Sequence, residues 1–277
     1  MNMEFNSKNQ DLSAFKQEPV ITNIAASLWD IGDGVVCFEF NSKDNTINYQ
    51  TFKLLYDAIN IVSKYFKCML IGNDSANFSS GINHSSLRDN FKIKEEIEYS
   101  QSVLQMLKFA NFPTVAAVSG FTLGAGCEIA LHCSSIQAYM ETHARLTEEG
   151  HVLSGLGCYT EMILRYLELK EFSQDIVSTN TTESAKQMYN LHMLKSSDQI
   201  TEDRKKLLAD AKEKVLKLLH NYCPPKEEQI KLSEVKLYLQ NVGIVKKLEA
   251  GFGNQDFINR KDILNFEKEI ALEAEKT

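Results

Sequence analysis

The stretch from Thr114 to Leu131 leaves the fewest choices open. Thr114-Val-Ala-Ala-Val118 is a β-branched apolar run with Pro113 before it and Ser119-Gly120 after it, the pattern of a buried strand. A short loop then leads to Gly124-Ala-Gly-Cys-Glu-Ile-Ala-Leu131. Two glycines flank Ala125 just before an apolar helical run. Such a turn lets a ligand approach the backbone closely and aims the unpaired amides of a helix start at it. Glu128 falls in the first turn of that helix, and Glu148 follows twenty residues later. Two carboxylates brought together beside amide donors are the parts needed for acid/base chemistry on a carbonyl compound.

Strand and helix patterns alternate on the N-terminal side of this stretch. Val35–Phe40 and Cys68–Ile71 read as strands. Phe52, Leu55, Ile59 and Val62 form one face of a helix between them, and Phe91–Phe109 reads as a second helix. After Thr160 the chain turns mostly helical, over Glu161–Leu169, Ser184–Tyr189, Asp203–His220, Glu227–Leu248 and Lys261–Glu275. The pattern is that of an α/β core followed by a helical C-terminal region.

Composition narrows the function classes. A formal charge of −7 argues against nucleic acid as a partner. No apolar run is long enough to span a bilayer, which argues against a membrane. Met1 to Gln17 is polar and lacks the apolar centre of a signal peptide; residues 1–24 read as a flexible tail. The cysteines at 37, 68, 127, 133, 158 and 223 form no Cys-x-x-Cys pair. They read as free thiols of a reducing compartment, hence a cytoplasmic protein.

Ala116-Ala-Val-Ser-Gly-Phe-Thr-Leu-Gly-Ala-Gly-Cys-Glu-Ile-Ala-Leu131 with Glu148 resembles the core motif of the crotonase (enoyl-CoA hydratase/isomerase) superfamily. Ala26–Gly34, Asn41–Ile47, Val177–Thr179 and Ser196–Thr201 resemble in particular the crotonase-like C-terminal portion of bacterial 3-hydroxyacyl-CoA dehydrogenases. The resemblance implies a spiral of ββα turns over residues 25–200, binding acyl-CoA, with residues 201–277 as a helical assembly and lid region. It implies backbone N–H groups of Ile82 and Ala125 as an oxyanion hole and Glu128 and Glu148 as catalytic carboxylates. Lys43, Asn45 and Gly81 fall where the family holds CoA. The implied activity is hydration of 2-enoyl-CoA in fatty-acid β-oxidation. Enoyl-CoA isomerisation is one alternative; a non-catalytic acyl-CoA-binding or assembly remnant of a fused dehydrogenase is the other. The implied partners are the acyl-CoA thioester as substrate, and either further copies of the chain or a dehydrogenase subunit.

Glu149 beside Glu148 leaves the second carboxylate open by one position, and the family spacing favours Glu148. The family's isoleucine-proline before its glycine run is replaced by Leu153-Ser154, and Leu156 and Cys158 stand among the glycines. Alanine at 125, often glycine in the family, requires a negative φ there. Gly124-x-Gly126 is not a dinucleotide fingerprint, because Ile129 occupies the third small position and the turn does not follow the strand at once. No nicotinamide or other cofactor is implied. His132, one turn beyond Glu128, has no cluster of further ligands around it in the sequence and reads as a packed histidine rather than a metal ligand.

Overall fold

The computed structural model describes residues 11–82, 90–146, 155–169, 181–227, 229–241, 252 and 255–274. The chain enters as an antiparallel meander of β1 (Ile21–Thr22), β2 (Ala26–Asp30) and β3 (Val35–Phe40). The β2–β3 turn needs left-handed backbone, with positive φ at Gly32, Asp33 and Gly34. α1 (Tyr49–Tyr65) follows, started by a capping box in which Asn48 and Thr51 exchange side-chain-to-backbone hydrogen bonds. β4 (Cys68–Ile71) then pairs parallel to β3, and β5 (Thr114–Val118) parallel to β4 after α2 (Asn90–Lys108).

The turns that begin with β5 and β7 each lay one strand in the main sheet and one in a small second sheet. β5 is followed by β6 (Phe121–Leu123) and α3 (Ala125–His132); β7 (Ser135–Tyr139) is followed by β8 (His143–Arg145). β7 pairs parallel to β5, and β8 parallel to β6. Isolated parallel bridges Ile47–Ile82 and Ser79–Thr122 carry the second layer back to the preceding turns. This is the ββα spiral. α4 (Cys158–Leu169) and α5 (Ala185–Asn190) precede β9 (Gln199–Thr201), which completes a seven-stranded sheet of order β1-β2-β3-β4-β5-β7-β9.

β5 is buried on both faces, as a strand between two layers must be. Ala116 and Val118 face the larger apolar cluster with α1, α2 and α3. Val115 and Ala117 face a second cluster, closed by Leu207, Leu208, Ala211 and Val215 of α6 (Leu207–Leu219). The core thus continues past Thr201. Lys212 ties α6 to the β2–β3 turn: its Nζ donates to Ile31 O at 2.7 Å and pairs with Asp33 at 2.6 Å.

The C-terminal part is less continuously helical than its sequence pattern. Instead of a helix from Glu227, residues 225–227 are irregular. Ile230–Lys231 forms β10, paired antiparallel to β11 (Phe257–Ile258). α7 (Leu232–Asn241) starts only afterwards, and the rest of the expected helix lies outside the described residues. α8 (Arg260–Ala274) ends the described chain. In the described part of the expected N-terminal tail, Ile21–Thr22 forms β1 and the segment before it is anchored at Leu12 and Ser13. Leu12 is buried, and the amides of Leu12 and Ser13 each donate to Asp74 at 2.8 Å. Among the described residues no helix is long and apolar enough to cross a membrane.

Candidate active site

The start of α3 and the loop Phe78–Gly81 come together through main-chain pairing. Ser79 N donates to Phe121 O (2.9 Å), and Leu123 N donates to Ser79 O (3.0 Å). Gly126 lies so close to this loop that a Cβ there would overlap Ser79 Cβ. The turn's left-handed residue is Gly124, at φ +45°. Ala125 opens the helix without a positive φ, so its side chain is tolerated where the family often has glycine. Ala125 and Ile82 therefore lie on two neighbouring segments of the site. Gly81 has φ +85°; its N–H donates to Ser79 Oγ (3.1 Å) and its carbonyl accepts from Ile47 N (2.7 Å).

Glu128 is wholly buried in the first turn of α3. Its Oε1 accepts the amides of Leu156 and Cys158, each at 3.1 Å. Those two residues stand where the sequence departs from the family's glycines. They serve Glu128 through N–H, which any residue but proline supplies. The remaining glycines of the run are needed for space. Gly155 has φ +72°, and a Cβ there would lie 2.7 Å from Ala271 Cβ; Gly157 has φ +126° and abuts the His132 ring.

A second carboxylate enters from α8, and no sequence motif pointed to it. Glu267 is fully buried. Its Oε1 accepts the amides of Gly157 and Tyr159, both at 3.2 Å, and faces the Cys158 thiol at 3.4 Å. Its Oε2 accepts the amide and the hydroxyl of Thr160, both at 3.1 Å. Burial raises its pKa above the ordinary glutamate value, against the pull of these donors. Burial, followed by the charges of Glu267 and Glu128, also pushes the Cys158 thiol well up. One atom each of Glu128, Cys158 and Glu267 lie within 4.8 Å of one another. A cation there would have to displace N–H donors that already point at the carboxylates. The signal for Glu267 was in the sequence: a glutamate on the apolar stripe Ile263, Ile270 and Ala271, at helical spacing.

His132 is packed. Its Nδ1 lies 2.8 Å from Glu128 O, and burial holds its pKa well below the usual histidine value. Behind it Glu161 joins three elements, accepting Lys108 Nζ at 2.7 Å and Arg260 Nη2. Burial, with Arg260 and Arg165 nearby, lowers the Lys108 ammonium to about 7.

Of the candidate CoA contacts, Lys43 is exposed on its turn. The Asn45 side chain is turned inward, donating to Asn77 O (2.9 Å) and Ser75 Oγ (3.2 Å) at a positive φ. Glu148 and Glu149 lie outside the described residues, as does Ser154.

Comparison with known proteins bears on the family and the fold. Residues 30–165 match the family model for enoyl-CoA hydratase/isomerase. A probable 3-hydroxyacyl-CoA dehydrogenase of Bacillus subtilis is 30% identical over 246 residues, 82% of this chain and 31% of that protein. A putative fatty acid oxidation complex trifunctional enzyme of Rickettsia prowazekii is 27% identical, over 99% of this chain and 40% of that protein. The chain thus spans between about a third and two fifths of the length of these relatives. Among solved structures, an enoyl-CoA hydratase of Geobacillus kaustophilus superposes with a TM-score of 0.62 at 16% identity, over 90% of this chain and 88% of that one. A probable enoyl-CoA hydratase of Mycobacterium smegmatis gives 0.64 at 12% identity, over 91% and 94%. The likeness to the enoyl-CoA hydratase/isomerase family thus covers residues 30–165, and the chain carries the crotonase fold.

Proposed function

We propose that this chain adds water across the α,β double bond of a 2-enoyl-CoA thioester. The observation that carries the reading is Glu128: a wholly buried carboxylate, held by two amides, one turn from the Ala125 N–H. The amides of Ile82 and Ala125 polarise the thioester oxygen and hold the negative charge that develops on it. Glu128 takes a proton from water as its oxygen bonds to the β-carbon, and Glu148 delivers a proton to the α-carbon. The reaction is redox-neutral and calls for no nicotinamide. Lys43 and Gly81 lie on the CoA side of this arrangement, and Asn45 holds the Lys43 turn in place.

The product of hydration is a 3-hydroxyacyl-CoA, the compound that a dehydrogenase of the kind named for the Bacillus subtilis relative oxidises. This supports a place in fatty-acid β-oxidation; the free cysteines fit a cytoplasmic setting. It also supports assembly with a dehydrogenase subunit or with further copies of the chain. Isomerisation of a 3-enoyl-CoA is the second reading, since it can run on a single carboxylate such as Glu128.

Loss of the enoyl absorbance of crotonyl-CoA tests the proposal. Glu128→Gln is expected to lower the rate by ~10²–10⁴-fold. Glu148→Gln should cost far more than Glu149→Gln; the reverse order would move the second role to Glu149. A Glu128→Gln protein with wild-type turnover would end the assignment, and isomerisation without hydration would select the second reading.

A further inference from the structure

We infer that Glu267 is a positioning residue of this site: its carboxylate and that of Glu128 grip neighbouring amides of one turn, and the pair carries a single proton. The inference rests on the hydratase reading for its role in turnover, and on geometry alone for the pairing.

The two carboxylates divide the turn between them. Glu128, from α3, takes the amides of 156 and 158; Glu267, from α8, takes those of 157, 159 and 160. These amides stand just before and within the first turn of α4, where no intrahelical acceptor exists for them and the helix dipole favours negative charge. Moving Glu267 therefore moves the donors that fix Glu128. Misplacement of a catalytic group by about 1 Å costs ~10²-fold.

The groups facing Glu267 do not neutralise it. α3 offers Glu128; α4 offers Cys158, Tyr159 and Thr160; α7 offers Tyr238, whose hydroxyl is itself held neutral by burial. Arg260, on the same helix, makes its direct ion pair with Glu161 and acts on Glu267 only through its charge at longer range. Among the described residues Glu267 makes no ion pair. Two buried carboxylates this close do not both ionise readily, so one proton stays with the pair. When it rests on Glu267, Glu128 is left ionised, the form that activates water.

The test has two arms on the full chain. In the first, the Glu267 carboxyl is followed by carbon-13 NMR of glutamate-labelled protein, assigned by its loss in Glu267→Gln. It should titrate above the ordinary glutamate range, and its midpoint should fall by about one pH unit or more in Glu128→Gln, because the pair titrates as a unit. An unchanged midpoint overturns the pairing. In the second arm, Glu267→Gln should lower kcat for crotonyl-CoA by ~10²-fold with KM nearly unchanged, as for a misplaced catalytic group. Gln stands in for the protonated Glu267, so the step of the wild-type rate profile in which Glu267 loses its proton should vanish in Glu267→Gln and persist in Glu267→Asp. A Gln variant with wild-type kcat and pH profile overturns the positioning role. Coupled titration in a wild-type protein that hydrates nothing supports the pair and removes only the hydratase reading.

Discussion

At Glu128 the side chain touches no solvent, and two amides of a distant turn meet one of its oxygens. Glutamate was legible there because it interrupts an apolar helix start, where an unpartnered charge is costly. Glu267 interrupts an apolar face in the same way, on α8. It had no motif around it, and only folding shows which turn it meets. Its raised pKa has a consequence for stability. The folded protein retains a proton on this group that the unfolded chain releases above about 4.5. Its contribution is therefore full below 4.5 and is lost as pH rises through the raised folded value. Melting temperatures across this range should show Glu267→Gln gaining on the wild type as pH rises. Parallel melting curves for the two proteins would count against a raised Glu267.

At the scale of elements, the site depends on how closely α3 approaches the loop Phe78–Gly81. Gly126 sets that distance, since a methyl group would have to displace Ser79, which is anchored by main-chain bonds on both sides. Gly126→Ala should cost roughly 1–3 kcal/mol, the usual range for overpacking. It should also weaken hydration by spreading the Ile82 and Ala125 amides. Denaturant unfolding beside crotonyl-CoA kinetics checks both; an alanine variant of unchanged stability would mean that the loop yields freely. The sequence marked the Gly124–Gly126 turn as a place where a ligand approaches the backbone; at Gly126 the close neighbour is Ser79 of the loop.

For the whole molecule, α6 decides where the core ends. It lies beyond the family match at 30–165, yet Leu207, Ala211 and Val215 close the second face of the sheet over Leu70 and Val115. Truncation after Thr201 uncovers that face and removes α8 with Glu267. The truncated chain is expected to aggregate, read by light scattering, and to lose cooperative unfolding, read by circular dichroism. A soluble, cooperatively folded fragment would show that the helices after Thr201 are dispensable to the core.

Local chemistry was enough to identify β5, the Gly124–Gly126 turn, the α3 start and Glu128. Each is written in a short run of residues whose backbone preference and burial agree. The short strands β6, β8, β10 and β11 are two or three residues long and carry no period of their own. β6 and β8 exist because neighbouring turns of the spiral offer them hydrogen-bond partners, and β10 and β11 because each pairs with the other. The same holds for the second buried carboxylate. More than a hundred residues separate Glu267 from the turn it grips. Its partners are main-chain amides, which every sequence contains, so only the tertiary structure could single them out.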